Sequence, residues 1–228
     1  MIDAEMNNKI PKLETWEDIL TSNVFGVLEL IEYKHLLNVI SIAKNEKNEK
    51  VANKIKDKKI KTVQLWKHFK NIGEPDILVK LDDGTFFIIE VKYFSHEHNN
   101  KDKAMEENSS DDVKEYQENG QLARYLEIEI DKQKSDFIIY LTADYQSMKY
   151  IKESNSSSKN CLNKIYHIHW DEFNEYLQKI QNLEGIEKKV IHKIIEYLDF
   201  KGFEYWKGFH YKKEYDIEIT TGGFYENK

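Results

Sequence analysis

Two short runs of β-forming residues, joined by four turn residues, constrain this chain more than anything else in it. Ile77-Leu78-Val79-Lys80-Leu81 and Phe86-Phe87-Ile88-Ile89-Glu90-Val91-Lys92-Tyr93 are rich in β-branched and aromatic side chains, and Asp82-Asp83-Gly84-Thr85 stands between them. Such a pair predicts an antiparallel hairpin. Side chains alternate along a strand, so Glu90 and Lys92 share one face while Val91 turns into the core. Pairing folds the end of the second run back beside the start of the first, where Pro75-Asp76 stands. Asp76 and Glu90 are thereby expected to meet, with Lys92 at hand. Two convergent carboxylates suit a hard divalent cation such as Mg²⁺, which prefers oxygen ligands and retains water.

The flanking pattern predicts an α/β architecture. Apolar residues from Leu13 to Leu37 recur at spacings of three and four, the helical signature, with a break expected near Asn23 to Gly26. Lys44 to Glu49 reads as an exposed connection, and Val51 to Phe69 as a basic helix. Ser95 to Asp112 is polar and reads as a loop, followed by a helix over Val113 to Ile130. Phe137 to Thr142 is the clearest buried strand. Ser154 to Asn160 is loop-like, Ile165 to His169 a further strand, and helices are expected from Asp171 and over Ile186 to Tyr197. The aromatic stretch Phe200 to Phe224 is left unassigned; it fits base stacking, a core strand or a partner interface equally well.

At 228 residues with 40% hydrophobic and 13% aromatic content, the chain can bury one substantial core and is expected to be a single domain. Its core is expected over about 13–145, with a C-terminal elaboration over about 146–228. No window has the apolar length of a membrane span, and the first residues lack the apolar run of a signal peptide, so a cytoplasmic, non-membrane protein is expected. The single cysteine, Cys161, excludes an internal disulfide, a four-thiolate zinc site and an iron–sulfur cluster. Forty-one acids against 34 bases give a net charge of −7. Yet Lys44 to Lys70 holds ten lysines and only Glu46, Glu49 and Asp57. That segment is an electropositive patch, read either as solvated surface or as a contact for a phosphate backbone.

Pro75-Asp76 followed by Glu90-Val91-Lys92 at the end of Phe86-Phe87-Ile88-Ile89 resembles the signature of the PD-(D/E)XK nuclease superfamily. Gln121-Leu122-Ala123-Arg124-Tyr125 has the form Gln-x-x-x-Tyr and resembles the third motif of RecB-like members. The resemblance spans approximately Glu14 to Thr142. It implies a restriction-endonuclease-like core, a mixed central β-sheet flanked by helices, here with a helical C-terminal extension. It implies that Asp76 and Glu90 bind Mg²⁺ (or Mn²⁺), with the Val91 carbonyl and an acid from the N-terminal helix. Glu17 is the best match for that acid, with Asp18 and Glu14 as alternatives. Lys92 is then expected to position the attacking water, Gln121 and Tyr125 to orient Lys92 or contact a phosphate, and Arg124 to add a phosphate contact.

The implied activity is hydrolysis of phosphodiesters, in DNA first and RNA second, with a role in bacterial defence or DNA processing. The sequence has no helicase phosphate loop, so motor-driven degradation is expected only with a partner that supplies the motor; a homo-oligomer or a defence partner protein is the other expectation. The alternative is a nuclease-fold protein that binds nucleic acid or a protein without cutting. A Glu-x-Lys at a strand end is by itself common on solvated edges, and Gln121 with Tyr125 also fits a satisfied core pair. His96-Glu97-His98 is read as solvated loop, His167 and His169 as partly buried, hydrogen-bonded histidines, and Cys161 as an inert small side chain or a surface thiol.

Overall fold

The computed structural model describes residues 2–6, 16–93, 120–154 and 161–204. In chain order these form α1 (Ile2–Met6), α2 (Trp16–Leu28), α3 (Leu36–Ile40), α4 (Ala52–Ile55), β1 (Ile60–Leu65), β2 (Ile77–Leu81), β3 (Phe86–Val91) and α5 (Gln121–Tyr125). They continue with β4 (Glu129–Ile130), β5 (Gln133–Lys134), β6 (Ile138–Thr142), α6 (Ser147–Ser154), β7 (Ile165–His169), α7 (Trp170–Lys179) and α8 (Gly185–Phe200). The protein is therefore α/β, with a five-stranded mixed sheet ordered β1-β2-β3-β6-β7. The first three strands pair antiparallel; β3, β6 and β7 run parallel.

The hairpin forms as its sequence requires. Ile77 pairs with Ile89 and Lys80 with Phe86, around Asp83, whose carboxylate accepts from the Thr85 amide and hydroxyl. Strand parity sorts the side chains into two layers. Ile77, Val79, Phe87, Ile89, Val91, Ile139 and Ile168 join the larger apolar cluster, packed against α2, α3, α7 and α8. Leu78, Phe86, Ile88, Ile138 and Tyr140 face α5 and α6 through Leu122, Tyr125 and Ile151. Both faces of the sheet are covered, which is why β3 and β6 are buried along their whole length and apolar except at Glu90 and Thr142.

Several expectations are corrected. The break expected near Asn23 to Gly26 does not occur: Thr21 and Asn23, residue types that often cap a second helix, lie inside one helix. They are buried within α2, because Leu20, Val24, Phe25 and Leu28 form one continuous stripe in the core. The chain breaks later, where Glu32 and Tyr33 take left-handed φ values of 55° and 52°. The basic helix over Val51 to Phe69 shrinks to α4, and its second half is the edge strand β1. There Ile60, Val63 and Leu65 pack on the larger cluster, a strand pattern broken by a register irregularity between Ile60 and Thr62. The Lys44 to Glu49 connection is mostly exposed, as expected, and it closes as a tight turn. Asn45 is buried at its centre, accepting from the Lys47 and Glu49 amides.

The helix expected to reach Ile130 ends after Tyr125, and Ile128 is buried beside the small β4–β5 hairpin, whose turn residues Asp131 and Lys132 have positive φ. The expected C-terminal extension supplies β7 to the sheet and, through Phe173, Leu177, Ile191, Ile194 and Tyr197, a large part of the main core. Phe203 belongs to that core as well. The expected loops at Ser95 to Asp112 and at 155–160, the helix start at Val113, and the tail beyond Glu204 lie outside the described residues.

Candidate active site at the open end of the hairpin

Asp76 sits one residue before β2, directly beyond the Ile77–Ile89 pair, and so opposite Glu90. Its carboxylate Oδ2 accepts a 2.8 Å hydrogen bond from the Val91 amide, which ties the two strand ends together. Glu90 is 1% exposed on the α5 side of the sheet, and Lys92, one step beyond β3, is 6% exposed. The Lys92 ammonium lies 3.0 Å from Glu90 Oε1 and 3.4 Å from Glu17 Oε2. Glu17 also accepts from the Tyr93 amide at 3.2 Å, anchoring the first turn of α2 to the end of β3. Of the three N-terminal acids named from sequence, Glu17 is brought to the cluster. Asp18 points to solvent, and Glu14 lies outside the described residues.

Two buried carboxyls and a buried ammonium this close together cannot keep their ordinary titration. Burial, reinforced by the neighbouring Glu90 charge, pushes the Asp76 carboxyl up to about 8. Burial raises Glu90 also, against the pull of Lys92. Burial disfavours the Lys92 ammonium, but Glu90, Glu17 and Asp76 outweigh it and hold that group above its ordinary value. Glu90 Oε2 is buried and makes no hydrogen bond. A buried carboxylate oxygen without a donor is costly in the anionic state. It is the atom that a hard cation or a proton would satisfy.

Gln121 and Tyr125, one turn apart on α5, do act together, but their bonds run to the backbone ahead of Asp76 and not to Lys92. Gln121 Nε2 donates to the Tyr125 hydroxyl at 2.9 Å, and that hydroxyl donates to the Glu74 carbonyl at 3.1 Å. Burial, then the nearby Glu90, raises the Tyr125 phenol, so it stays a donor across the physiological range. The Tyr125 ring lies over Gly73, where an added Cβ would approach it to 3.2 Å and where φ is +135°. Tyr125 thus fixes the turn that delivers Asp76. Tyr125→Phe is expected to cost about 1 kcal/mol of stability in urea unfolding and to lower any activity of the site roughly tenfold. An activity equal to wild type with the stability loss intact would make the tyrosine a core residue only.

Two contributors had no signal in the sequence motifs. The Trp170 indole, fully buried, donates to the Lys92 carbonyl at 3.3 Å, and Phe203 stacks on it at 5.6 Å between ring centroids. The site is therefore backed by the C-terminal part of the chain. A tryptophan directly after the His167-Ile168-His169 strand was visible, but its reach across the sheet depends on strand order. His167 and His169 share the carboxyl end of β7. Burial, then His169, lowers the His167 imidazole, and its Nδ1 lacks the hydrogen bond expected for it. His169 stacks on the Tyr145 ring at 4.4 Å. Cys161 is buried and forms no disulfide among the described residues, which fits the inert small side chain and not the surface thiol. His96 and His98 lie outside the described residues.

Among the described residues no set of three or more His, Cys, Asp or Glu side chains is arranged to hold a metal ion by itself. No described helix is long and apolar enough to cross a membrane. Compared with protein-family models, with curated proteins and with solved structures, the chain finds no match.

Proposed function

We propose that this protein is a divalent-metal-dependent nuclease of the PD-(D/E)XK type, with a restriction-endonuclease-like core, that hydrolyses phosphodiester bonds in DNA. The observation that carries the reading is the meeting of Asp76, Glu90 and Lys92 at one end of the β2–β3 hairpin, with an unsatisfied carboxylate oxygen buried at its centre. A mixed sheet with helices on both faces is compatible with it. The donor set fits Mg²⁺ or Mn²⁺: Asp76, Glu90 and the Val91 carbonyl would hold the ion, with Glu17 as the acid from α2. Such a cation, when bound, offsets the carboxylate charge and makes water acidic enough to attack phosphorus at neutral pH.

The chain's own groups would do the rest. Lys92, kept charged by three acids, would hold the attacking water and offset negative charge developing on the phosphoryl oxygens. Glu17, bonded to the Tyr93 amide, would aim that ammonium. Tyr125 and Gln121 would hold Asp76 in place through Glu74, and Arg124, beside them on α5, would contact a phosphate. The resemblance extends the proposal to DNA processing or bacterial defence in the cytoplasm, alone, as a homo-oligomer or with a partner protein.

Plasmid DNA, linear DNA and RNA incubated with Mg²⁺, Mn²⁺ or a chelator test this. Cleavage is expected with metal and not with chelator, and Asp76→Ala is expected to reduce it at least about a hundredfold. Cleavage that persists in Asp76→Ala would remove the site. Absence of cleavage on all three substrates would favour a nuclease-fold protein that binds and does not cut.

A further inference from the structure

The lysine-rich segment is divided by the fold. Lys54 faces Asp136 at 3.4 Å and Lys58 faces Asp83 at 2.8 Å, so two of its charges are spent within the chain. Lys61 and Lys67 are not. Together with Lys80 of β2, from outside that segment, they line a groove of about 340 Å³ between the open edge strand β1 and the β4–β5 hairpin. None of the three forms an ion pair with a described residue, and Thr62 and Gln64 add neutral polar groups to the wall. Asp131 is the one acid lining it among the described residues.

The groove is aligned with the candidate site. Thr62 pairs with Lys80 and Gln64 with Leu78, and the Trp66 amide donates to the Asp76 carbonyl, so following β1 from Lys61 to Lys67 leads to the level of Asp76. Lys80 and Asp76 have the same strand parity and therefore lie on the same face, four residues or roughly 13 Å apart at strand rise. Three ammonium groups with no carboxylate partner among the described residues, Lys61 on the edge strand, Lys67 just beyond it over the Phe69 ring and Lys80 on β2, in a groove that ends beside the candidate site, fit one class of ligand, a linear phosphate polyanion.

We infer that the groove lined by Lys61, Lys67 and Lys80 binds the phosphate backbone of a nucleic acid and leads it toward Asp76. The inference rests on the nuclease reading for its direction but not for its binding. The occupant is a nucleic acid rather than an acidic polypeptide because its charges are regularly spaced, and because, of the apolar lining residues, Leu81 and Phe86 are buried beneath the groove, leaving half-buried Ile130 as the apolar wall open to a side chain. Recognition here is independent of base sequence.

The test is binding of a fluorescent oligonucleotide of two unrelated sequences, in chelator, over a range of salt. Wild type is compared with Lys61→Ala/Lys67→Ala/Lys80→Ala and with Lys47→Ala/Lys50→Ala/Lys56→Ala, which removes the same charge from exposed positions outside the groove. The groove variant is expected to bind both sequences about tenfold or more weaker and to lower the slope of log affinity against log salt by about 2–3, from ~0.7–0.9 per lost phosphate contact. The second triple variant is expected to change the slope by less than about 1. Equal slopes for the two triple variants, or displacement of the oligonucleotide by polyglutamate as readily as by unlabelled nucleic acid, overturns the groove. Cleavage with metal but no groove dependence sinks this inference alone. Groove-dependent binding with no cleavage sinks the nuclease reading alone.

Discussion

Replacing Lys92 with methionine is expected to abolish cleavage to within about a hundredth to a thousandth of wild type, the usual loss when one positioned cationic donor is removed from a site where charge develops. The same change is expected to destabilise the metal-free protein, because Glu90 is 1% exposed and Lys92 is the cation beside it. Breaking a buried pair by removing one partner costs ~3–5 kcal/mol unless the remaining group neutralises itself. Glu90 can do so by binding a proton. Its folded-state pKa, already raised, rises further in the variant, so the penalty is small at pH 5 and grows as pH increases. Thermal unfolding at pH 5 and pH 8 checks this. A variant equally stable at both values relative to wild type, or one that still cuts, would mean that Lys92 is not coupled to Glu90 as described.

The second large effect is the pH dependence of stability carried by Asp76. A carboxyl whose folded-state value is lifted to about 8 from 3.8 binds more protons folded than unfolded throughout the interval between them. Its contribution therefore favours folding on the acid side and is lost as pH rises from about 4 toward 8. Lys92 stays charged over that whole window and adds no slope. Asp76→Asn keeps the side chain's shape and removes the titration. The difference in Tm between variant and wild type, both in chelator, is expected to grow in the variant's favour from pH 5 to pH 8 by roughly 5 °C, the shift of about 2 kcal/mol in a chain of this size. Mg²⁺ at pH 8 is expected to raise the wild-type Tm and to leave that of Asp76→Asn nearly unchanged. Parallel pH profiles for the two proteins would place Asp76 in solvent-like surroundings.

What the sequence made legible follows from which signals are local. The hairpin was readable because turn chemistry and period-two alternation both act over a few residues, and register then forces Asp76 beside Glu90. The strand at Ile138–Thr142 and the helix at Gly185–Phe200 were readable for the same reason, as a continuous apolar run and a long 3.6-residue period. β1 was not readable because a register irregularity between Ile60 and Thr62 breaks the alternation that Val63 and Leu65 keep, and because an edge strand is decided by its neighbour more than by its own composition. The extent of α2 was misread because Thr21 and Asn23, both good capping types, are overruled by tertiary burial. In the site, spacing revealed Asp76, Glu90 and Lys92, and the order of motifs pointed to Gln121 and Tyr125. The Tyr125 bond to the Glu74 carbonyl and the Trp170 bond to the Lys92 carbonyl were not readable, since both join backbone atoms to side chains more than fifty residues away in the chain.

The most direct measurement is the anomalous difference map of a crystal soaked in Mn²⁺. The account predicts a peak bridging the carboxylates of Asp76 and Glu90, absent in crystals of Asp76→Asn soaked in the same way. A map with no peak between these two side chains, or with manganese only at surface acids elsewhere, would contradict it.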